Sequence, residues 1–336
     1  MIIKPKKIKF LFIIVFTFFF NSCQDKKETK EVVRNTTVVK TKTQLQIPTQ
    51  TSIVILGTVQ DAGSPHIACK KDCCKDLFEN PDADRKVVSL GVVDPENAKK
   101  YLFEATPDMP MQMKLFKRYS AADSKETADG IFLTHAHIGH YTGLMFLGKE
   151  AMNAKSIPVF AMPTMKNYLE TNGPWSQLVS NSNIVLHEME NEKQITLTDN
   201  LKVTPYTVPH RDEYSETVGY TITGPNKSAL FIPDIDKWGK WEKNIINEIS
   251  KVDYAFIDAT FFDANEVGNR DMSEIPHPFI VESMSLFKNL TSEEKSKIIF
   301  IHFNHSNPAL NSESIQSKEI LENGFKIARV GGVYAL

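Results

Sequence analysis

Three histidines, His135, His137 and His140, fall inside "FLTHAHIGHYTGL" at the spacing H-x-H-x-x-H. Neutral imidazole carries a lone pair at physiological pH, which makes histidine a common zinc ligand and suits iron and manganese as well. His135 and His137 are separated by one residue, so an extended backbone turns both rings to one side, where they can hold one ion together. His140 stands at the start of an expected helix and faces a neighbouring position. A lone histidine is more often a core or surface residue than a ligand; three at this spacing, on a strand-to-helix turn, read as a metal cradle.

The elements that must carry such a cradle are legible as apolar, β-branched or aromatic runs with turn residues between them: "SIVILGT", "YLFEAT", "GIFLTH", "IPVFAM", "LKVTPYTV", "GYTITGP", "SALFIPD", "YAFIDAT" and "KIIFIHF". Composition and length predict strands for all of them. Helical spacing is found in "PDMPMQMKLFKRYS", "GHYTGLMFLGKEAMN", "PTMKNYLETN", "KWEKNIINEIS" and "HPFIVESMSLFKNL". This mixture predicts a layered α/β domain. Polar residues recur where apolar strands end: His135 after "GIFLT", His210 after "KVTPYTVP", Asp234 after "SALFIP", Asp258 closing "DYAFI" and His302 after "KIIFI". Strand ends along one sheet edge are where α/β folds build their sites.

The chain has 336 residues, is 41% hydrophobic and balances 39 Lys+Arg against 41 Asp+Glu, a net charge of -2. No overall field gathers nucleic acid, and none is expected as a partner. The start, "MIIKPKKIKFLFIIVFTFFFNSC", has a lysine-rich head and an apolar stretch from Ile8 to Phe20 that is short for a membrane span, so a signal peptide over 1–23 is expected. Ser22-Cys23 resembles the cleavage box of bacterial lipoproteins, although Phe20 and Asn21 fit it poorly. The favoured reading is lipidation of Cys23 and membrane anchoring in the cell envelope; an uncleaved anchor and an ordinary secretory signal are the rivals. Residues 24–50, charged, threonine-rich and without aromatics, read as a tether. The folded domain is placed at 51–336.

The histidine cluster resembles the signature H-x-H-x-D-H of the metallo-β-lactamase superfamily, and the later motifs come in that family's order. The resemblance implies a four-layer αββα sandwich with metals at one edge of its two sheets. It implies that His135, His137 and His210 hold a first ion, that Asp234 in "SALFIPDID" bridges two ions, and that His140 and His302 complete a second site. Gly139 departs from the signature, because it stands where the family has an aspartate. Either the second metal is weak or absent, or another carboxylate substitutes; Asp61 in "TVQDAGSPH" and Asp108 in "FEATPDMP" are the candidates. The alternative for each is a turn aspartate that caps a helix or fixes a loop.

"ILGTVQDAGSPHIACKKDCC" and "IIFIHFNHSNPAL" further resemble the two ends of the pyrroloquinoline quinone biosynthesis protein B branch, with a cysteine-rich loop and an "IHxNxxNP" pattern at His302, Asn304, Asn307 and Pro308. The well-known proteins of that branch are cytoplasmic and some lack the full histidine cluster, whereas this chain keeps the cluster and has an export-type start. With Cys23 assigned to lipid, Cys69, Cys73 and Cys74 remain, an odd set for a disulfide framework. Three thiolates with His66 as fourth ligand would make a structural zinc site. One disulfide with a spare thiol is the alternative.

The leading functional reading is metal-assisted hydrolysis of a small-molecule ester, lactone, amide or phosphodiester. Zinc, one ion or two, lowers the pKa of its bound water to about 7 and polarises the bond under attack; iron and manganese are alternatives. Asp234 would bind the ion and orient the nucleophile. His277 in "EIPHPFIVESM" and His305 in "HFNHSN" are candidate donors to substrate or leaving group, or else a loop histidine and a hydrogen-bonding neighbour of the ligands. Asp258 either turns a ligand imidazole or caps its strand. Groove-lining loops are expected at Thr171 to Asn183 and Asp263 to Pro278, and Trp175 in the first is read as packing. Two rival readings remain: an iron-dependent oxidase or hydroxylase, and a non-catalytic metal-binding lipoprotein.

Overall fold

A computed structural model describes residues 47–268 and 270–336. The expected signal peptide, Cys23 and the tether up to residue 46 lie outside the described residues. Among the described residues no helix is long and apolar enough to cross a membrane.

The first sheet begins with β1 (Ser52–Gly57), β2 (Ser89–Asp94), β3 (Lys99–Phe103), β4 (Gly130–Phe132), β5 (Ile157–Ala161) and β6 (Ile184–Glu188). The second comprises β7 (Ile195–Thr198), β8 (Leu201–Thr207), β9 (Val218–Thr223), β10 (Ser228–Ile232), β11 (Tyr254–Asp258), β12 (Ile298–Ile301) and β13 (Lys326–Ile327). A last strand, β14 (Val333–Ala335), returns to the first sheet beside β1. The spatial orders are β14-β1-β2-β3-β4-β5-β6 and β13-β12-β11-β10-β9-β8-β7. Each sheet joins an antiparallel meander to a parallel run, β3 to β6 in one and β10 to β13 in the other.

Three apolar cores make this a four-layer αββα sandwich. In β1, Ile53 and Ile55 face the other sheet, where they join Phe103, Phe132, Tyr220, Phe231 and Phe256. The alternate residues Val54 and Leu56 face outward with Met109, Met113 and Phe116 of α1 (Met109–Lys117). A strand whose two faces both meet protein favours apolar side chains along its length, which is why β1 is buried throughout and residues 53–56 are apolar without a break. On the far side of the second sheet, Leu230, Ile257 and Phe300 pack against Ile249, Ile280 and Phe287.

Strand direction then sets the site. β1, β3 and β4 run the same way in the first sheet, as do β8, β10, β11 and β12 in the second. The residues that follow these strands are Asp61, Glu104, His135, His210, Asp234 and His302, while Asp258 closes β11. The chain after β1 ties the two sheets together at this edge, since Val59 bridges both Val87 and Phe303.

Candidate metal centre

His135 follows β4 and is held from behind by Thr134, whose Oγ1 lies 2.9 Å from Nδ1. Its Nε2 lies 2.8 Å from His137 Nδ1 and 3.4 Å from Asp234 Oδ2. His210 Nε2 is 3.3 Å from the same carboxylate oxygen. His135, His137, His210 and Asp234 thus bring one donor atom each to within 4.8 Å of one another. Asp61, His140, Asp234 and His302 form a second such group, and Asp234, Asp258, His277 and His302 a third. Asp234 belongs to all three.

Neighbouring side chains back the donors, one of them, Asp258, being itself a member of the third group. His140 lies on α2 (Ile138–Tyr141), and its Nδ1 is 3.2 Å from Glu104 Oε1, which is fully buried. His302 Nδ1 lies 2.9 Å from Thr260 Oγ1, which in turn donates to Asp258 Oδ1 at 2.7 Å. His210 Nδ1 is 3.4 Å from Asp236 Oδ1. The Thr134 and Thr260 hydroxyls hydrogen-bond Nδ1 of His135 and His302 and so aim Nε2 inward, whereas Glu104 and Asp236 stand beside Nδ1 of His140 and His210 as nearby carboxylates without hydrogen-bond alignment. Glu104 and His302 also share a left-handed backbone, φ +75° and +68°, which costs about 1–3 kcal/mol at a residue with a Cβ. Both end a strand, where leaving the extended conformation breaks the strand's alternation.

Burial and charge are at odds here. Burial opposes the charged forms of His140 and His277, yet Asp61 and Glu104 raise the first well above the usual imidazole range and Asp258 and Asp234 raise the second. His302 is likewise disfavoured by burial but carried up to about 9, chiefly by Asp234. His135 moves the other way, held well below its ordinary value by burial and by the neighbouring His140. Burial also pushes up on Asp234, but the surrounding histidines hold it well below the usual carboxylate range. Positive charge is thus wanted at this place.

A divalent ion fits that demand. Both ring nitrogens of His210 and Oδ1 of Asp234 are buried without a hydrogen-bond partner, although carboxylate or imidazole atoms lie within 3.1–3.4 Å of them. Distance is satisfied and alignment is not, so these contacts do not serve as hydrogen bonds. Orphaned buried polar atoms are rare, and imidazole nitrogens with carboxylate oxygens are donors for zinc, iron or manganese. The side chains of His135, His140, His210 and His302 are at most 1% exposed, against 14% for His137. The centre therefore opens on the His137 side, where Glu213 Oε2 lies 3.4 Å from His137 Nε2 and the adjacent Tyr214 is exposed.

His277 lies at the rim of the centre. Its Nδ1 is 2.9 Å from Asp258 Oδ2 and 3.1 Å from Asp234 Oδ1. Asp258 is therefore more than a strand cap: it accepts from the Ile235 backbone and holds His277 and Thr260. Asp108 is not brought to the centre. Its Oδ2 accepts from Val87 N at 2.8 Å, clamping the chain before β2, so of the two substitute carboxylates only Asp61 reaches the histidines.

The cysteine loop holds a separate cluster. Cys69, Cys73 and Cys74 are free thiols, with Sγ atoms 3.7 Å apart for the first pair and 4.0 Å for the second, so the disulfide alternative does not describe them. The fourth donor is His305, not His66. His66 Nδ1 is taken by the Ala68 backbone at 3.2 Å, and its ring stacks on His305 at 4.6 Å. His305 Nδ1 is buried without a hydrogen-bond partner. His305 is thereby corrected from a candidate proton donor at the centre to a member of the thiol cluster, because the turn after β12 carries it there. Trp175 packs on Tyr141 and Tyr168, at 4.8 and 5.8 Å between ring centroids.

Sequence reasoning passed over Glu104, Asp236, Thr134 and Thr260. Glu104 closes the apolar "YLF" and Asp236 stands two residues past Asp234, so the strand-end signal that marked the ligands was present for both.

Two sheets packed face to face, helices on the outside and a histidine–carboxylate centre at their shared edge define a metal-binding αββα protein. The chain belongs to the beta-lactamase superfamily: residues 99–303 match the family model described as the Beta-lactamase superfamily domain. Coenzyme PQQ synthesis protein B of Methylococcus capsulatus is 24% identical over 309 residues, covering 83% of this chain and 98% of that protein. The Zn2+-bound PqqB from Methylobacterium extorquens superposes with a TM-score of 0.71 at 19% identity, covering 85% of this chain and 100% of that one. A diphosphatase from the PhnP family follows with a TM-score of 0.59 at 19% identity, covering 84% and 96%. Within the superfamily the likeness is thus to the PQQ synthesis B branch.

Proposed function

We propose that this chain is a zinc-dependent hydrolase of a small-molecule ester, lactone, amide or phosphodiester. The observation that carries the reading is Asp234, a buried carboxylate shared by the His135, His137, His210 group and by the His140, His302 group, with His277 3.1 Å from its other oxygen. A divalent ion bound there would supply a Lewis acid and an acidified water. The chain's own residues do the rest. Asp258 and Asp234 keep a proton on His277, which is then a general acid for the leaving group at the rim of the centre. Thr134 hydrogen-bonds His135, and the carboxylates of Glu104 and Asp236 lie against His140 and His210. Glu213 and Tyr214 line the approach on the open side. The diphosphatase among the fold neighbours supports including phosphoryl substrates in a screen.

The test is turnover of bis(p-nitrophenyl) phosphate, p-nitrophenyl acetate and a lactone by the metal-loaded protein. Turnover of at least one that disappears in His135→Ala/His137→Ala is expected; turnover that survives in this variant rejects the reading. The likeness to Coenzyme PQQ synthesis protein B supports a second reading, iron-dependent oxidation, and a chain that takes up one iron and no zinc puts it ahead. The cysteine cluster with His305 is proposed as a structural zinc site. Export and anchoring through a lipid on Cys23 are proposed from the leader alone, and mass spectrometry of the mature amino terminus decides them.

A further inference from the structure

Position 139 is where "HAHIGH" lacks a donor, and the structure fills that place from another part of the chain. A Cβ built on Gly139 would lie 2.5 Å from the Asp61 Cα, 2.8 Å from its Oδ1 and 2.9 Å from its Cβ. No side chain fits at 139 while Asp61 stands where it does. Asp61 is brought there by backbone hydrogen bonds to the end of β12: Phe303 N donates to Thr58 O and Gln60 N to Phe303 O, each at 2.8 Å. Its Oδ1 then lies 2.7 Å from His140 Nε2 and 3.3 Å from His302 Nε2. Asp61, His140, His302 and Asp234 form one donor group, in which Asp61 supplies a second carboxylate beside Asp234.

We propose that Asp61 is a ligand of a second divalent ion, held together with His140, His302 and Asp234, and that position 139 is a glycine because Asp61 occupies its side-chain space. The inference deepens the hydrolase reading above and rests on it. The carboxylate is displaced in sequence, from the histidine turn to the loop after β1, but not in space. A hard oxygen donor is kept beside the two imidazoles. His140 Nδ1 faces Glu104 and His302 Nδ1 is hydrogen-bonded with Thr260, so Nε2 is the ring nitrogen that each turns toward Asp61.

The experiment counts zinc per chain by plasma mass spectrometry in the full chain, purified without a histidine tag. Asp61→Asn keeps the size of the side chain and removes its charge. Gly139→Ala leaves every donor atom in the chain but places a Cβ against the Asp61 backbone, so it tests the same ligand by a route that alters no donor. Each is expected to hold one zinc fewer than the wild type, while Asp108→Asn holds the wild-type number. A wild-type count in both Asp61→Asn and Gly139→Ala overturns the proposal. The count in His135→Ala/His137→Ala separates the two ideas: if it equals the wild type, the hydrolase reading fails at its first ion, whatever the Asp61 result.

Discussion

The histidine–carboxylate centre and the cysteine cluster draw on the same two stretches of chain. The segment after β1 gives Asp61 to one and Cys69, Cys73 and Cys74 to the other, and the turn after β12 gives His302 to one and His305 to the other. They are built differently all the same. The centre takes its donors from strand ends in both sheets, buries them, and backs His135, His140 and His302 with Thr134, Glu104 and Thr260. The cysteine cluster takes three of its four donors from a run of turns without a strand or helix, and Cys69 and Cys73 are partly exposed. In the first the fold makes the site; in the second an ion would make the loop. Apolar burial and two sheets already fix the centre's geometry, so losing its metal removes chemistry and little structure. The loop is largely exposed, so a cross-link there would carry much of its stability.

The largest expected effect lies at the centre. His135→Ala/His137→Ala should bring turnover to background and remove an ion, yet leave the far-ultraviolet dichroism of the fold intact; unfolding in this variant would break the contrast drawn here. Next come the supports. Asp258→Asn and Glu104→Gln leave the donor groups of the first ion in place and should weaken metal affinity by about 10–100-fold, read by competition with a chelator. Replacing Cys69, Cys73 and Cys74 by serine should remove one zinc per chain and open the loop to trypsin at Lys70, Lys71 and Lys75. The melting temperature should fall by about 2–4 °C for each kcal/mol lost. If turnover falls as far as in the histidine variant, the two clusters are one functional unit and the comparison fails.

How much of this was legible in the sequence follows from the same physics. The nine strand runs stood out because β1, β10, β11 and β12 are covered on both faces and nearly all apolar, while β5, β8 and β9 alternate buried with less buried residues at a period of two. β2 did not, since Gly91 interrupts "SLGVVD"; a Cβ there would meet the Phe116 ring at 2.4 Å, a packing demand made by a helix still to come. β6 lies at the end of its sheet and is partly exposed, so its pattern is weak. The stretch expected as a loop from Thr171 to Asn183 contains α3 (Trp175–Ser180), a helix too short to show a period. The histidine cluster was readable from type and spacing, while Asp234, His210 and His302 were marked by their places after strands and given ligand roles by the superfamily resemblance. The choice of Asp61 over Asp108 was not, for both follow strands, and what separates them is the hook between Gln60 and Phe303 for the one and the bond from Val87 N for the other.

His66 and His305 give the finest version of that lesson and the smallest expected effect. By sequence His66 is the neighbour of the thiols, three residues before Cys69, and His305 is remote. In space both are near, stacked ring on ring at 4.6 Å, but they are not equivalent. Burial, with His66 and Lys71 nearby, lowers His305 to about 4, so at neutral pH it is a neutral imidazole with a lone pair to give. His66 has its Nδ1 committed to the Ala68 backbone. His66→Ala should therefore keep the loop zinc and cost about 0.5–1.5 kcal/mol for the lost ring contact, whereas His305→Ala should release the zinc as the cysteine replacement does. Equal zinc loss in the two variants would mean that the stack, and not the donor atom, holds the loop together.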